Sequence, residues 1–254
     1  MKEATPTEMM TIVAARRLKN RATCFVGIGI PSMASNLARL THAPEIVLIY
    51  ESGTVGAKPT ILPLSIGDGE LAETADAVVS TPEIFAYWLQ GGRVDVGFLG
   101  AAQVDRFANL NSTVIGDYAS PKVRLPGAGG APEIAALAKE TLVIIKHSSR
   151  SLVDRVDFIT SAGYLDGRDA RQKAGLRGGP SAVITDLGVL VPEEGANELV
   201  VEQLHPGVSR ERIQEATGWE LRFSDTVSET EEPTDSELSV LRNLIARTES
   251  ARAR

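Results

Sequence analysis

The sequence is poor in several things on which simple functional assignments rest. It has one cysteine in 254 residues, Cys24. No disulfide can therefore form within the chain, and its setting in the apolar run ATCFVGIGI reads as a small core residue rather than a nucleophile. Its three histidines, His42, His147 and His205, show no HExxH or paired His/Cys spacing, so no metal site is expected. They fit no Ser-His-Asp ordering either. Positive charge is in the minority: 26 Lys and Arg against 33 Asp and Glu give a net charge of −7. That balance argues against nucleic acid or an anionic membrane as the main partner. No apolar run approaches the roughly 18 residues of a membrane span. The opening MKEATPTEMM has no signal-type apolar segment, so a cytoplasmic protein is expected.

Apolar residues make up 43% of the chain and charged residues 23%, ordinary values for a globular protein with a sizeable core. Thr5, Pro6 and Glu8 occupy N-cap, N1 and N3 of a capping box, with Met10, Val13, Ala14 and Leu18 on one helical face. Apolar runs of strand length recur at 46–50, 94–100, 141–146, 156–160, 181–185, 188–192 and 198–204. Several are near-continuous rather than alternating, as in strands covered on both faces. Helical patterns such as SMASNLARL, TPEIFAYWLQGG and APEIAALAKE lie between some of them. The expected class is α/β with a largely parallel sheet. The expected organisation is one domain over 1–224, an acidic linker at 225–237 and a C-terminal helix over 238–254. Thr234 and Glu237 form a second capping box for that helix, and Leu238, Leu241, Leu244 and Ile245 share a face.

Three stretches invite chemistry. GIGIPS, Gly27 to Ser32, follows a strand and precedes a helix. As a dinucleotide fingerprint it is defective, because Ser32 takes the third glycine position after Pro31. A glycine turn near a bound group and a purely structural turn both remain open. GAGGAPE, Gly127 to Glu133, sets free backbone amides at a helix start, an arrangement suited to an oxyanion or carboxylate. No Walker lysine follows, so a nucleotide P-loop is excluded. Glu51 ends the run 46–50 at what would be the carboxyl end of a strand, where α/β sheets place their sites. A carboxylate there either accepts loop amides or acts as a covalent nucleophile.

Taken in series, FVGIGIPSMASNLA, LIYESG, SIGDGE, GFLGAAQVDRFANLNSTVIGDY, PKVRLPGAGGAPEIA, DFITSAGYLDG, VITDLGVL and LHPGVSRERIQEATGW resemble the β subunit of class I (glutaconate-type) coenzyme A transferases. The resemblance runs over nearly the whole chain. It implies a three-layer fold, with an open twisted sheet and helices on both faces. It also implies CoA transfer from succinyl-CoA to 3-oxoadipate in aromatic catabolism, with glutaconate or another dicarboxylic or 3-oxo acid as the alternative acceptor. Glu51 falls on the family's catalytic glutamate, which passes through an acyl-glutamyl anhydride and a glutamyl-CoA thioester. Gly129 and Gly130 match the oxyanion loop. Gly27, Gly29, Gln103, Asn109, Asn111 and Gly127 match positions near the substrate or CoA.

No permanently bound cofactor is implied, since the CoA thioester is a substrate. The partner implied is a separate α subunit, in an α2β2 heterotetramer. Ser52 stands where many relatives have asparagine, and retention of Glu51 argues against the branch of hydrolases that lost the acidic motif. Ala108 stands where relatives usually have glycine; if the position needs a positive φ, alanine strains it. Arg93 and Arg106 are candidate anion contacts, with surface charge the plainer reading. The alternative from another class is a nucleotide-binding oxidoreductase built on GIGIPS.

Overall fold

A computed structural model describes residues 3–253. Its strands are β1 (Thr23–Phe25), β2 (Val47–Ile49), β3 (Thr54–Val55), β4 (Ala77–Val78), β5 (Val96–Leu99), β6 (Gln103–Val104), β7 (Leu110–Asn111), β8 (Val114–Gly116), β9 (Pro121–Arg124), β10 (Glu140–Ile144), β11 (Pro180–Ile184), β12 (Gly188–Pro192), β13 (Leu199–Leu204) and β14 (Arg222–Glu229). Its helices are α1 (Pro6–Arg16), α2 (Ile30–Leu40), α3 (Gly69–Glu73), α4 (Thr81–Glu83), α5 (Ala131–Leu137), α6 (Ala170–Lys173), α7 (Arg210–Glu215) and α8 (Asp235–Arg252). The chain divides into two compact units. One runs to Phe98 and resumes at Glu232; the other is Leu99–Glu231.

In the first unit, β5, β1 and β2 are parallel neighbours, and β3 and β4 extend them antiparallel. Their core positions are apolar on both faces: Cys24, Leu48 and Ile49 are all fully buried, which accounts for the continuous apolar runs in the sequence. The Thr5–Glu8 capping box forms and starts α1, and the Thr234–Glu237 box starts α8. The two helices are locked by paired bidentate ion pairs. Arg16 grips Glu237 at 2.7 Å, and Arg242 grips Glu8 at 2.7 and 3.0 Å.

In the second unit, β10 and β11 are parallel, β12 and β13 follow antiparallel, and β14 runs parallel to β13. The α/β class expected from the sequence is the class observed.

Three local features differ from the sequence reading. TPEIFAYWLQGG is not one regular helix: α4 passes into a π-helical turn over Ile84–Leu89, with i→i+5 bonds such as Gln90 N–H to Phe85 O. The run 156–160 is irregular; Asp157 Oδ2 accepts the Gly116 amide, Thr160 Oγ1 accepts the Ser112 amide, and only the end of the run meets β7, where Thr160 N–H donates to Leu110 O. Residues 225–229 lie in β14, an edge strand whose mostly exposed polar side chains carry no apolar alternation.

Candidate active site

The Glu51 turn is built by strand pairing and one glycine. Tyr50 N–H donates to Thr54 O at 3.1 Å, and Gly53 N–H donates to Tyr50 O at 3.0 Å. Glu51, Ser52 and Gly53 are therefore a three-residue hairpin loop between β2 and β3, with Gly53 at the positive-φ position, +112°. Tyr50 is fully buried and anchors one side of the loop. Burial pushes its phenol up to about 12, with Ser32 and Asn36 partly offsetting the rise, so it is a neutral anchor at ordinary pH. Glu51 itself is half-buried at the apex. The hydroxyls of Ser32, Tyr50, Ser52 and Thr54 are hidden, with no partner at full hydrogen-bond geometry among the described residues; ordered water is the usual partner of such groups.

Gly27 and Glu51 share one edge. β1 and β2 pair Phe25 with Ile49, and Val26 N–H donates to Ile49 O at 2.8 Å. Two residues beyond that pair, at the carboxyl ends of parallel neighbours, stand Gly27 and Glu51. Gly29 follows with φ +81° as the N-cap of α2. Pro31, in the first turn, removes one amide that a pyrophosphate would use, which weakens the dinucleotide alternative.

The second unit holds the remaining candidates. The GAGG loop continues the β8–β9 ribbon: Gly127 N–H donates to Ser112 O at 2.9 Å, and Ser112 Oγ–H donates to Gly127 O at 2.8 Å. Gly127 has φ +106° and Gly129 φ +52°, and Gly130 is the N-cap of α5. A β-carbon at 127 or 129 would meet nothing, so backbone conformation rather than space selects glycine there. Among the described residues, the Gly129 and Gly130 amides have no acceptor. Gly129 is exposed and Gly130 buried at the start of α5, and donors fixed there can receive an anionic oxygen without reorganising.

Gln103, Asn109 and Asn111 are buried, and the side-chain amides of Asn109 and Asn111 are saturated within the chain. Asn109 donates to Asp105 Oδ2 and Leu165 O and accepts from the Gly163 and Leu165 amides. Asn111 donates to Gln103 Oε1 and Val114 O and accepts from the Thr113 and Val114 amides. Gln103 donates to Asp157 Oδ2 and accepts from Asp157 N–H. Direct contact with substrate would cost Asn109 or Asn111 a bond already made, so the geometry makes these two loop braces, whereas one Nε2–H of Gln103 has no acceptor among the described residues.

Ala108 does adopt positive φ, +56°, in the turn closed by its N–H to Asp105 O. Alanine in this region costs on the order of 1–2 kcal/mol. Asp105 anchors the turn by accepting the Phe107 and Asn109 amides; burial raises its pKa, opposed by those bonds. Arg93 is exposed, and Arg106 is paired with Asp154 and Glu198.

The histidines are engaged in structure. His42 Nε2 lies 3.1 Å from Leu18 O. His147 sits between Thr185 and Thr217, and burial lowers its pKa to about 4. His205 sits between Thr230 and Thr185 O, its pKa also lowered by burial. No group of three His, Cys, Asp or Glu could hold a metal among the described residues.

Arg171 escaped the sequence reading. It is 3% exposed, and its guanidinium donates to the carbonyls of Ala135, Ala162, Gly163, Arg177 and Gly178. Only the convergence of five backbone oxygens, four from the flanking loops and one from Ala135, marks it, and no motif encodes that.

The chain matches the Coenzyme A transferase family over residues 7–216. It is 67% identical over 245 residues to the β subunit of 3-oxoadipate CoA-transferase from Pseudomonas knackmussii, covering 96% of this chain and 94% of that protein. It is 34% identical to the corresponding subunit of glutaconate CoA-transferase from Acidaminococcus fermentans, over 95% and 92% of the two chains. The crystal structure of glutaconate coenzyme A-transferase from that organism superposes with a TM-score of 0.89 at 31% identity, over 95% of each chain. The decarboxylase AibA/AibB superposes with a TM-score of 0.83 at 26% identity, over 96% and 95%, so one fold carries more than one chemistry. Sequence and fold agree across almost the full length: this chain belongs to the coenzyme A transferase family.

Proposed function

We propose that this chain is the β subunit of a 3-oxoadipate CoA-transferase, working in the cytoplasm with a separate α subunit in an α2β2 assembly. The observation that carries the reading is its 67% identity to the like subunit of an enzyme of that name, over 96% of the chain. At 34%, the glutaconate relative supports its acceptor less well.

Glu51 is the nucleophile in this reading. Its carboxylate attacks the thioester carbon of succinyl-CoA, the C–S bond breaks, and CoA leaves as the thiolate. The thiolate attacks the glutamyl carbonyl of the resulting anhydride, forming glutamyl-CoA thioester and releasing succinate. The carboxylate of 3-oxoadipate then attacks that thioester, CoA leaves again, and its return to the new acyl group restores Glu51. No electrons are exchanged and water takes no part, so the thioester's energy is kept as long as both glutamyl intermediates stay dry. The unpaired Gly129 and Gly130 amides are the donors assigned to the tetrahedral oxyanion, each worth on the order of 3 kcal/mol in the transition state. Asn109 and Asn111 act by holding loops in place rather than by touching substrate, and Gln103 keeps one amide N–H for a ligand.

The test is chemical. The co-expressed subunits are incubated with succinyl-CoA and treated with borohydride, and the peptide carrying residue 51 is weighed. Reduction of the glutamyl thioester to the alcohol is expected at Glu51, and Glu51→Ala should abolish transfer. Full transfer by that variant would sink the mechanism. An acceptor panel at fixed succinyl-CoA should give 3-oxoadipate the highest kcat/KM, and a higher value for glutaconate would move the chain to the alternative.

A further inference from the structure

The β8–β9 hairpin presents a prepared cationic face that the assigned residues do not use. Tyr118, 58% exposed, stacks on Phe158 with ring centroids 5.4 Å apart and planes at 25°. The guanidinium of Arg124 covers the Tyr118 ring at 4.9 Å and donates to Tyr118 O at 3.1 Å. An arginine on an exposed strand ordinarily samples many rotamers; here the ring and the carbonyl hold it in one orientation. Its remaining N–H groups are left for a further acceptor. Lys122 lies two residues earlier on β9, at the extra residue where the β8–β9 register shifts. Neither cation is in an ion pair among the described residues, and the one acid of the loop, Asp117, is occupied by the Ala119 and Ser120 amides. In a chain of net charge −7, two exposed cations outside any ion pair among the described residues are a place for a strong anion.

The hairpin is also fastened to the glycine loop. Leu125 N–H donates to Thr113 O at 3.0 Å, and the ribbon continues into the Gly127–Ser112 pair. Gly129 is five residues beyond Arg124, a span of at most about 17 Å when extended. The base of the hairpin is braced by the buried side chains of Gln103 and Asn111. Asp157 Oδ2 joins Gln103 to the Gly116 amide, and Asn111 holds both the amide and carbonyl of Val114.

We propose that this hairpin is the subsite for the phosphate-bearing end of CoA, with Arg124 and Lys122 taking the 3′-phosphate and the Tyr118–Phe158 stack orienting Arg124. The inference rests on the CoA-transferase reading above. The ligand fits in charge, as a polyanion, and in reach, because the pantetheine arm is of the same order of length as the backbone between Arg124 and Gly129. It also gives Gln103 and Asn111 a role: they position the hairpin, which touches the ligand.

Calorimetry on the complex co-expressed with its partner subunit tests this, with free CoA and 3′-dephospho-CoA as probes. The wild type should bind CoA more tightly than the dephospho form. Arg124→Gln and Lys122→Gln should each weaken CoA binding by about five- to tenfold, as expected for loss of one charge-assisted bond, and should largely erase the preference for the 3′-phosphate. Tyr118→Phe should bind as wild type, and Tyr118→Ala should fall between. Arg124→Gln with affinity and preference both intact overturns the subsite. So does loss of co-purification in that variant, which would make the hairpin a subunit contact. A wild-type complex that binds no CoA at all overturns the functional reading instead.

Discussion

Gly53 and Val79 are pressed together beside the Glu51 turn: Val79 N–H donates to Gly53 O at 2.9 Å, and a β-carbon on residue 53 would lie 1.9 Å from the Val79 carbonyl oxygen. Backbone, not a flexible side chain, is what that carbon would meet. Gly53→Ala should therefore cost at least about 2 kcal/mol, from strain at positive φ plus forced separation of the strands. It should also displace Glu51 and remove transfer activity. Gly129→Ala is the contrast, since its β-carbon meets nothing; only the φ penalty of roughly 1–2 kcal/mol applies. Urea denaturation of both variants beside transfer assays checks the difference.

Arg171 should be the most sensitive single side chain of the second unit. Arg171→Met would leave the carbonyls of Ala162, Gly163 and Gly178 without their donor in a buried site. A loss of about 3 kcal/mol or more is expected, and Arg171→Lys should recover little, because an ammonium cannot reach oxygens arranged around a planar fork. Thermal unfolding of the two variants measures this.

His147 predicts acid sensitivity. Burial lowers its folded pKa from 6.5 to about 4, so the unfolded state takes up the proton first as pH falls. Its stabilising contribution is whole above pH 6.5 and is lost as pH drops from 6.5 to about 4, by about 3 kcal/mol at most. Stability curves at pH 7 and pH 5 should diverge for the wild type, and His147→Gln should flatten that difference.

The ion pairs that hold α8 predict a second, more acidic window. The Arg242 hydrogen bond lowers the Glu8 carboxyl to about 2. Burial would raise Glu237, but the Arg16 bonds and the Thr234 cap outweigh it and bring that carboxyl to about 2 as well. Both acids stabilise above about pH 4.5 and lose that contribution as pH falls toward 2. Solvent screening keeps each contribution small. Arg242→Gln should speed amide hydrogen exchange in α8 at pH 7 and leave exchange at the Glu51 turn unchanged.

Short-range chemistry was legible in the sequence. Thr5 with Glu8 and Thr234 with Glu237 announced two helix starts, because a capping box is completed within four residues. The buried run ending at Glu51 announced a strand tip, because both its faces are covered. Its order among the other motifs, rather than its local pattern, pointed to the family. The sequence could not show that Gln103, Asn109 and Asn111 bond neighbouring loops, since Asn109 bonds Leu165 and Gln103 bonds Asp157. Polar residues in a loop look the same whether they face a ligand or a neighbouring turn.

The sequence by itself determined the α/β class, the helix caps, the strand that carries Glu51 and the family. The first three rest on spacing along the chain, and the family on the resemblance of its motifs in series. Only the tertiary structure decided why residue 53 must be glycine, why Arg171 can be buried without an acid, why the polar segment at 222–229 is a strand, and which way Arg124 faces. The physical reason is the same in each case: the deciding atom is the carbonyl of Val79, a ring of backbone oxygens, the edge of β13 or the ring of Tyr118, and the fold alone brings it within bonding distance.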